Sequence, residues 1–214
     1  MSEQADFIEE FVNTMQLQME EGQEAQGKEG EDFLDLLDFI LAKARRLTLA
    51  EAGTVFVCEP MLHSPSNVLR CQTAQNDEVK IEQETFSMPI DSYSIAGYTA
   101  LNSQVLKIDN LYHIEHTAPY EFNPGFDKRY GYRSVSMLSV PLKNVKNKVI
   151  GVIQLLNHLA DANSDDKYAP FREEDKKNMA GLSLILGMMV ERAALMEELE
   201  RLQGNNVYGM RPLD

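Results

Sequence analysis

The fold is decided by two apolar segments, Met137-Leu138-Ser139-Val140-Pro141-Leu142 and Val149-Ile150-Gly151-Val152-Ile153-Gln154-Leu155-Leu156-Asn157. Their length and their content of Val, Ile and Leu are typical of buried β-strands. The segment Lys143–Asn147 between them is short and polar, which favours a β-hairpin. Upstream, the sequence predicts a short helix from Ser94 to Leu101 and then a brief strand, Val105–Ile108.

Three further strands are predicted from composition and alternation. Gly53–Cys58 is apolar and β-branched, and Asn67–Gln72 alternates between apolar and polar residues. Phe86–Ile90 is expected at a sheet edge, because Pro89 has no N–H to donate to a neighbouring strand. Consecutive strands without alternating helices indicate an antiparallel sheet with helices layered on it. The predicted class is therefore α+β, with a sheet of about six strands.

Amphipathic helices are predicted towards both ends of the chain. Apolar residues recur at helical spacing between Ile8 and Met19, a second helix runs from about Glu31 to Leu47, and a terminal helix runs from about Arg172 to Gln203. We expect the N- and C-terminal helices to form a bundle, and an exposed apolar stripe on that bundle to form a homodimer interface. A purely intramolecular bundle is the alternative.

Composition divides the chain into three parts. Residues 1–30 contain the first helix and an acidic, Gly- and Glu-rich linker. Residues 31–200 form one folded domain, and residues 201–214 form a tail or the start of a linker to an output domain. We therefore expect the chain to be a fragment of a longer protein.

Charge and cysteine content narrow the class of protein. Among 214 residues the net charge is −14, which disfavours nucleic acids and acidic membrane surfaces as partners. No apolar run approaches the ~20 residues that cross a bilayer, and the N-terminus does not resemble a secretion signal. The chain is thus expected to be cytoplasmic. Cys58 and Cys71 are too few for a disulfide framework and are expected to be small buried residues.

The sequence shows no pattern of a catalytic or metal site. The four histidines His63, His113, His116 and His158 do not fall at metal-ligand spacings. No nucleophile elbow, Walker loop or dinucleotide fingerprint occurs. The acidic run Glu173–Asp175 stands where it complements the dipole of the terminal helix. We therefore expect no metal, no cofactor and no enzyme activity.

The order of these elements resembles the GAF family of small-molecule-sensing domains. The likeness covers residues 31–200 and includes Ser94-Ile95-Ala96-Gly97, Gly131-Tyr132-Arg133-Ser134 and the strands of the hairpin. It is closest to GAF domains of cyclic-nucleotide phosphodiesterases, bacterial adenylyl cyclases and HD-GYP proteins. The enzymatic GAF variant, free methionine sulfoxide reductase, uses several cysteines around its pocket loop, and this chain has none after Cys71.

The resemblance also covers a motif that supports the pocket in nucleotide-binding GAF domains. That motif reads Asn-Lys, then Phe, then Asp-Glu. Asn157, Phe171 and Asp175 match it, whereas His158 replaces the lysine and Lys176 replaces the glutamate. The resemblance implies that His158 and Asp175 form a weaker, pH-sensitive substitute for the Lys–Asp ion pair.

By the same resemblance, a ligand lies between the sheet and the long segment 110–130. The residues that it places around the ligand are Thr54, Ser94, Ile95, Ala96, Tyr112, Phe126, Asp127, Tyr130, Ser134 and Gln154. The helix start at Ile95 suits a purine or a phosphate, and Asp127 suits a purine edge. Tyr130 and Ser134 match positions that bond the phosphate or the sugar.

Each of these positions also has a purely structural interpretation. The helix start can serve core packing, Asp127 can be a solvated loop charge, and the remaining side chains can line a sheet face or anchor a loop. Arg133, just before the strand, is expected to brace the sheet rather than to bind a phosphate.

The implied function is that of a small-molecule-sensing regulatory domain of a cytoplasmic bacterial signalling protein. It would bind a cyclic nucleotide, cAMP or cGMP, and relay the signal through its C-terminal helix. The alternative is a ligand-free GAF dimerisation module, because Tyr112, Phe122 and Phe126 are large enough to fill the pocket themselves.

Overall fold

The computed structural model of the protein describes residues 29–60, 67–81 and 86–207. Its helices are α1 (Glu29–Leu47), α2 (Ile95–Asn102), α3 (Gly125–Tyr130) and α4 (Glu173–Val207), with a 3₁₀ turn at Leu111–His113. Its strands are β1 (Ala50–Pro60), β2 (Asn67–Asn76), β3 (Ser87–Pro89), β4 (Leu106–Ile108), β5 (Met137–Lys143), β6 (Val149–Leu159) and β7 (Tyr168–Ala169). The helix predicted between Ile8 and Met19 lies outside the described residues.

The strands of the described ranges form one antiparallel sheet. Six of them lie in the order β3-β2-β1-β6-β5-β4, and β7 pairs with the last residues of β6. The predicted α+β class and antiparallel sheet are therefore confirmed. β3 lies at the edge, where the missing N–H of Pro89 does not interrupt a ladder. β7 has only two residues, too few for a recognisable periodic pattern.

The two faces of the sheet pack against different layers. Val55 and Val57 of β1 belong to the cluster with α1 and α4, whereas Phe56 belongs to the cluster with α2, because side chains alternate along a strand. β5 is buried from Met137 to Leu142, since both of its faces are covered. This burial explains why β5 is apolar at almost every position.

The main hydrophobic core lies between the sheet and the pair of helices α1 and α4. The core residues of these helices are Leu36, Leu37, Ile40, Leu41 and Ala44 of α1 and Met179, Leu182, Leu186 and Val190 of α4. Each large side chain buried here contributes roughly 1.5–3 kcal/mol. The two helices also pack on each other, and α4 continues to Val207, beyond the predicted end at Gln203.

Helix α4 lies unusually close to β5. A Cβ atom at Gly187 would stand 2.0 Å from the carbonyl oxygen of Lys143, so only glycine fits at this position. The Ser183 hydroxyl bonds the carbonyl of Pro141, and the Asn144 amide donates to Glu191 at 2.7 Å. These contacts join α4 to β5 and its hairpin through backbone as well as side chains.

Candidate functional site

The site implied by the sequence lies on the sheet face opposite α1 and α4. Helix α2 covers the middle of this face, and residues 110–130, which we call the lid, cover the neighbouring part. The lid contains the 3₁₀ turn and α3, the latter within a segment where the sequence suggests only a loop. Helix α3 ends at Gly131, whose φ of 63° is the left-handed value that favours glycine.

A row of polar side chains crosses this face beneath α2. Thr54 pairs with Gln154 across β1 and β6, and Gln154 pairs with Ser139 across β6 and β5. The Gln154 amide donates to the Ser139 hydroxyl at 3.4 Å, and that hydroxyl lies 2.8 Å from the hydroxyl of Thr99. Thr54 and Gln154 are half-buried, whereas Ser139 and Thr99 are fully buried. We call these four residues the polar row.

The polar row separates two apolar clusters. One contains Phe56, Leu69, Cys71, Ala96, Ala100 and Val152, and the other contains Ile95, Leu106, Ile108, Leu111 and Met137. A few polar groups between apolar walls are typical of small-molecule sites. Sequence reasoning missed Ser139 and Thr99, although Ser139 is a single hydroxyl within an otherwise apolar strand.

The start of α2 is ordered by its own cap. Ser94 is the N-cap, and its hydroxyl accepts the Gly97 N–H at 2.9 Å. Ile95 and Ala96 are buried and pack on opposite sides of the polar row. Gly97 approaches the preceding loop closely, since a Cβ there would stand 2.6 Å from the Asp91 carbonyl oxygen. These packing contacts account for the three predicted residues at the start of α2.

Asp127 joins the lid to the strand end that follows it. Its buried carboxylate accepts the Tyr112 hydroxyl at 2.7 Å, the Ser134 N–H at 2.7 Å and the Ser134 hydroxyl at 2.8 Å. The hydrogen bond to Asp127, with burial, raises the pKa of the Tyr112 hydroxyl. Asp127 therefore bonds two other predicted residues rather than pointing into solvent. We call these three residues the lid latch.

Ring contacts order the outer part of the lid. The Phe126 ring lies 4.7 Å from that of Tyr130, and the Arg129 guanidinium lies over Tyr130 at 5.4 Å. The guanidinium of Arg133 lies 4.5 Å from the centre of the Tyr112 ring. Arg133 thus stacks on the lid latch, whereas bracing of the sheet was the expected role.

Aromatic side chains of the lid pack against α2, against each other and against the apolar cluster around Leu111. Tyr120 contacts Tyr98 with ring centres 5.1 Å apart, and Phe122 contacts Tyr112 at 5.2 Å. Tyr120 and Phe122 also pack against the apolar cluster around Leu111. These contacts hold the lid against the sheet and α2.

We expect Asp127→Asn to loosen the lid. The change removes the negative charge that strengthens all three bonds, and it leaves an NH₂ group that only the Ser134 hydroxyl can accept. The free energy of unfolding should fall by about 1–2 kcal/mol, and amide hydrogen exchange in residues 110–134 should accelerate. Asp109→Asn is the matched control, because Asp109 is exposed and pairs only with Lys107 in the described ranges. Equal exchange in both variants would contradict the latch.

Asn157 and Glu51 form a second buried network near the C-terminal end of β6, where Asn157 contacts the residues on either side of Ser134. Asn157 has a φ of 58°, and its side chain accepts the Val135 N–H at 2.6 Å and donates to the Tyr132 hydroxyl at 2.8 Å. The Glu51 carboxylate accepts hydrogen bonds from the Tyr132 and Tyr168 hydroxyls at 2.8 and 2.7 Å. Sequence reasoning found Asn157 but missed Glu51.

His158 and Asp175 lie close together, but each has a nearer partner. Their Nδ1 and Oδ2 atoms are 3.9 Å apart, whereas His158 Nδ1 lies 2.7 Å from the Thr48 carbonyl oxygen. Arg172 binds the Asp175 carboxylate through two guanidinium nitrogens, at 2.7 and 3.0 Å. Arg172 thus supplies the cation expected of His158. Phe171 is buried beside the His158 ring.

Of the two cysteines, Cys71 is buried and Cys58 is half-buried. Burial raises the pKa of Cys58 and of Cys71 to about 11, so both thiols stay protonated near neutral pH. Among the described ranges there is no group of three or more His, Cys, Asp or Glu residues suited to a metal ion. None of the helices in these ranges is long and apolar enough to cross a membrane.

The sheet, its two helical layers and the lid define a GAF fold. The GAF domain of an Acinetobacter phosphoenolpyruvate-protein phosphotransferase superposes with a TM-score of 0.59 at 13% identity, over 92% of this chain and 99% of that one. A type II free methionine-R-sulfoxide reductase from Thermoplasma acidophilum gives 0.52 at 13% identity, over 76% and 94%. At 13% identity these two matches show only that the chain shares its fold with a GAF domain and with a reductase.

Among curated proteins, the chain resembles a Drosophila melanogaster dual 3′,5′-cyclic-AMP and -GMP phosphodiesterase 11. The two are 25% identical over 174 residues, which cover 74% of this chain. The match spans only 11% of the length of that relative. No known family profile matches the chain.

Proposed function

We propose that the chain is a small-molecule-sensing regulatory domain of a cytoplasmic bacterial signalling protein. The observation that carries this proposal is the polar row beneath α2. Thr54 and Gln154 stand in the two central strands and are only half-buried, between two apolar clusters. An amphipathic ligand would place its polar groups on this row and its apolar parts against the clusters.

A cyclic nucleotide, cAMP or cGMP, is the ligand class that we propose. It combines a flat apolar base with a sugar and a charged phosphate, and the curated relative is named for both nucleotides. Thr54 and Gln154 would bond the ligand directly, while the start of α2 would face its phosphate. Gln154 is uncharged and so does not repel a phosphate.

Binding would require the lid to move. Tyr112 and Ser134 both donate hydrogen bonds to Asp127, so a ligand that contacts Asp127 must replace these bonds. Such a ligand would shift the population towards an open or rearranged lid only by its difference in affinity for the two states.

Strand β5 offers a route from the ligand to the C-terminal helix. Ser139 contacts Thr99 of α2 on one face, and Pro141 accepts a hydrogen bond from Ser183 of α4 through its carbonyl. A displacement of β5 would therefore act on both layers. We propose that α4 transmits the signal to an output domain.

We further propose a homodimer that forms through the terminal helices. Met188 and Leu195 lie on one side of α4, two turns apart, and are 44% and 59% exposed. Exposed apolar stripes of this kind are typical of helical dimer interfaces. Sedimentation of the full chain at several concentrations would test the dimer.

A ligand-free module is the second candidate function. The observation in its favour is that Tyr120 and Phe122 of the lid pack against the apolar cluster around Leu111. A reductase is not favoured, because Cys58 and Cys71 lie in β1 and β2 and no cysteine occurs in the lid.

Calorimetric titration of the full chain with cAMP and with cGMP separates the two candidates. The sensor predicts saturable heat, and Gln154→Ala should weaken binding about five- to tenfold through loss of one hydrogen bond. Gln104→Ala is the matched control, because Gln104 is exposed beyond the end of α2. Absence of heat at millimolar nucleotide would favour the ligand-free module.

A further inference from the structure

Residues 131–136, which we call the connector, join the lid to β5 without forming a helix or a strand. The connector is bonded to the lid through its backbone. The Ser134 N–H donates to the Asp127 carboxylate at 2.7 Å. The Val135 carbonyl oxygen accepts the N–H of Leu111 at 2.7 Å. The lid therefore cannot move away from the connector without losing these bonds.

The same short segment is also bonded to β6 and β7. The Val135 N–H donates to the side-chain oxygen of Asn157 at 2.6 Å, and the Asn157 amide donates to the Arg133 carbonyl oxygen at 2.9 Å. The Ser136 hydroxyl donates to the Ala169 carbonyl oxygen of β7 at 2.8 Å. Neighbouring residues of the connector thus bind the lid and the end of the sheet at the same time.

Tyr132 reaches both partners with one side chain. Its ring packs edge to face on the ring of Phe126 in the lid, with ring centres 5.9 Å apart. Its hydroxyl donates to the Glu51 carboxylate at 2.8 Å and accepts the Asn157 amide at 2.8 Å. Burial and the hydrogen bond to Glu51 raise the pKa of Tyr132, so the hydroxyl keeps its proton and stays a donor. A displacement of Phe126 would therefore act on the bond to Glu51.

Glu51 continues this connection towards α4. Its carboxylate also accepts the hydroxyl of Tyr168 at 2.7 Å, and Tyr168 lies in β7. Only residues 170–172 separate β7 from the start of α4 at Glu173. Tyr132 and Tyr168 donate to one buried carboxylate, so a change in one bond alters the other. Networks of this kind can carry energetic coupling between distant sites.

We propose that Tyr132 couples the lid to the start of α4 through the carboxylate of Glu51 and the hydroxyl of Tyr168. Tyr132 is then a positioning residue of the sensor. This route leaves the connector before β5 and reaches the residues just before α4, whereas the route through β5 reaches α4 at Ser183. Its role in signalling rests on the proposed function, in which a ligand moves the lid, but the coupling itself exists without a ligand.

Hydrogen exchange of the full chain without nucleotide, resolved by mass spectrometry, tests the coupling. Tyr112→Phe removes the hydroxyl that donates to Asp127, so the amides of residues 110–130 should exchange faster. The amides of residues 164–172, which include β7, should then also exchange on the order of threefold faster. Tyr93→Phe is the matched control, because it removes the same group from a side chain that is 78% exposed. The control should leave residues 164–172 unchanged.

Tyr132→Phe tests the route. It removes the hydroxyl that reaches Glu51 and leaves the ring against Phe126. In this background the effect of Tyr112→Phe on residues 164–172 should fall to about half or less, because only the bond from Ser136 to β7 remains. A general loss of stability would instead give the same effect in both backgrounds.

Two results would overturn the proposal. Residues 110–130 could exchange faster while residues 164–172 keep their wild-type rate. Residues 164–172 could also respond equally with and without the Tyr132 hydroxyl. If Tyr112→Phe does not accelerate exchange in the lid, Asp127→Asn is the stronger change at the lid latch and is judged by the same two criteria. Calorimetry without heat from cAMP or cGMP would contradict the proposed ligand but not this coupling.

Discussion

Glu51→Gln should lower the free energy of unfolding by about 2–4 kcal/mol, measured by urea denaturation at pH 7. Glu51 is 2% exposed, and its carboxylate accepts hydrogen bonds from the hydroxyls of Tyr132 and Tyr168. The carboxylate also forms an ion pair with the ammonium group of Lys167 at 2.6 Å. Glutamine removes the charge and presents an NH₂ group where a donor now points. The hydroxyls of Tyr132 and Tyr168 and the ammonium group of Lys167 then lose a charged hydrogen-bond acceptor.

Glu59→Gln is the matched control for this change. Glu59 pairs with Arg70 near the outer part of the sheet, and both side chains are about a third to a half exposed, at 32% and 44%. Loss of an exposed ion pair typically costs less than about 1 kcal/mol. Equal losses for the two variants would contradict the assignment of Glu51 as the centre of a buried network.

The contribution of Glu51 should also depend on pH. Burial by itself would raise the pKa of Glu51, but hydrogen bonds from Lys167, Tyr168, Tyr132 and Asn157 hold it below the ordinary value. A lowered carboxyl pKa stabilises the fold above the unfolded pKa, and this stabilisation is lost as pH falls through the folded pKa. The difference between wild type and Glu51→Gln should therefore be largest near pH 7 and shrink below about pH 4. A difference that does not shrink in acid would refute this explanation.

Gly187→Ala should lower the free energy of unfolding by about 2–3 kcal/mol, because α4 must move away from β5. The added Cβ would meet the carbonyl oxygen of Lys143 at 2.0 Å, and backbone atoms cannot rotate away as a flexible side chain can. The melting temperature should fall by several degrees. Exchange of the β5 and β6 amides should also accelerate.

Gly181→Ala separates steric overlap from helix propensity. Gly181 lies on the exposed side of the same helix, where alanine favours the helix by up to about 1 kcal/mol. The control should therefore be neutral or stabilising. If Gly187→Ala is also neutral, the close approach of α4 to β5 is not required for the fold.

The elements predicted correctly from the sequence are those with a clear period. The strands of the hairpin, the edge strand at Pro89 and the second and terminal helices all carry long or chemically distinctive patterns. Helix α3 has only six residues and lies among aromatic and charged residues without an amphipathic repeat, so the sequence suggested a loop. Its bounding residues, Pro124 and Gly131, are the signal that could have identified it.

The candidate site was predictable only in part. Thr54 and Gln154 were identified, and the structure places them side by side, but their role towards a ligand stays a prediction. The hydrogen-bond partners of Asp127 and Glu51 could not be predicted from the sequence, because such partners do not recur at a regular spacing along the chain. Tyr168 and Glu51 are 117 residues apart, and only folding brings their side chains together.

The spacing of apolar residues along the sequence by itself determined that this chain forms an antiparallel sheet covered by helices. This spacing decides which side chains of each strand and helix become buried. Tertiary structure decided which polar groups meet. It paired Asp127 with Tyr112 and Ser134, and it brought the guanidinium of Arg172 to the carboxylate of Asp175. It also aligned the polar row beneath α2. The physical reason is that hydrophobic burial is non-directional and readable from composition, whereas hydrogen bonds and ion pairs require exact atomic positions that exist only in the packed fold.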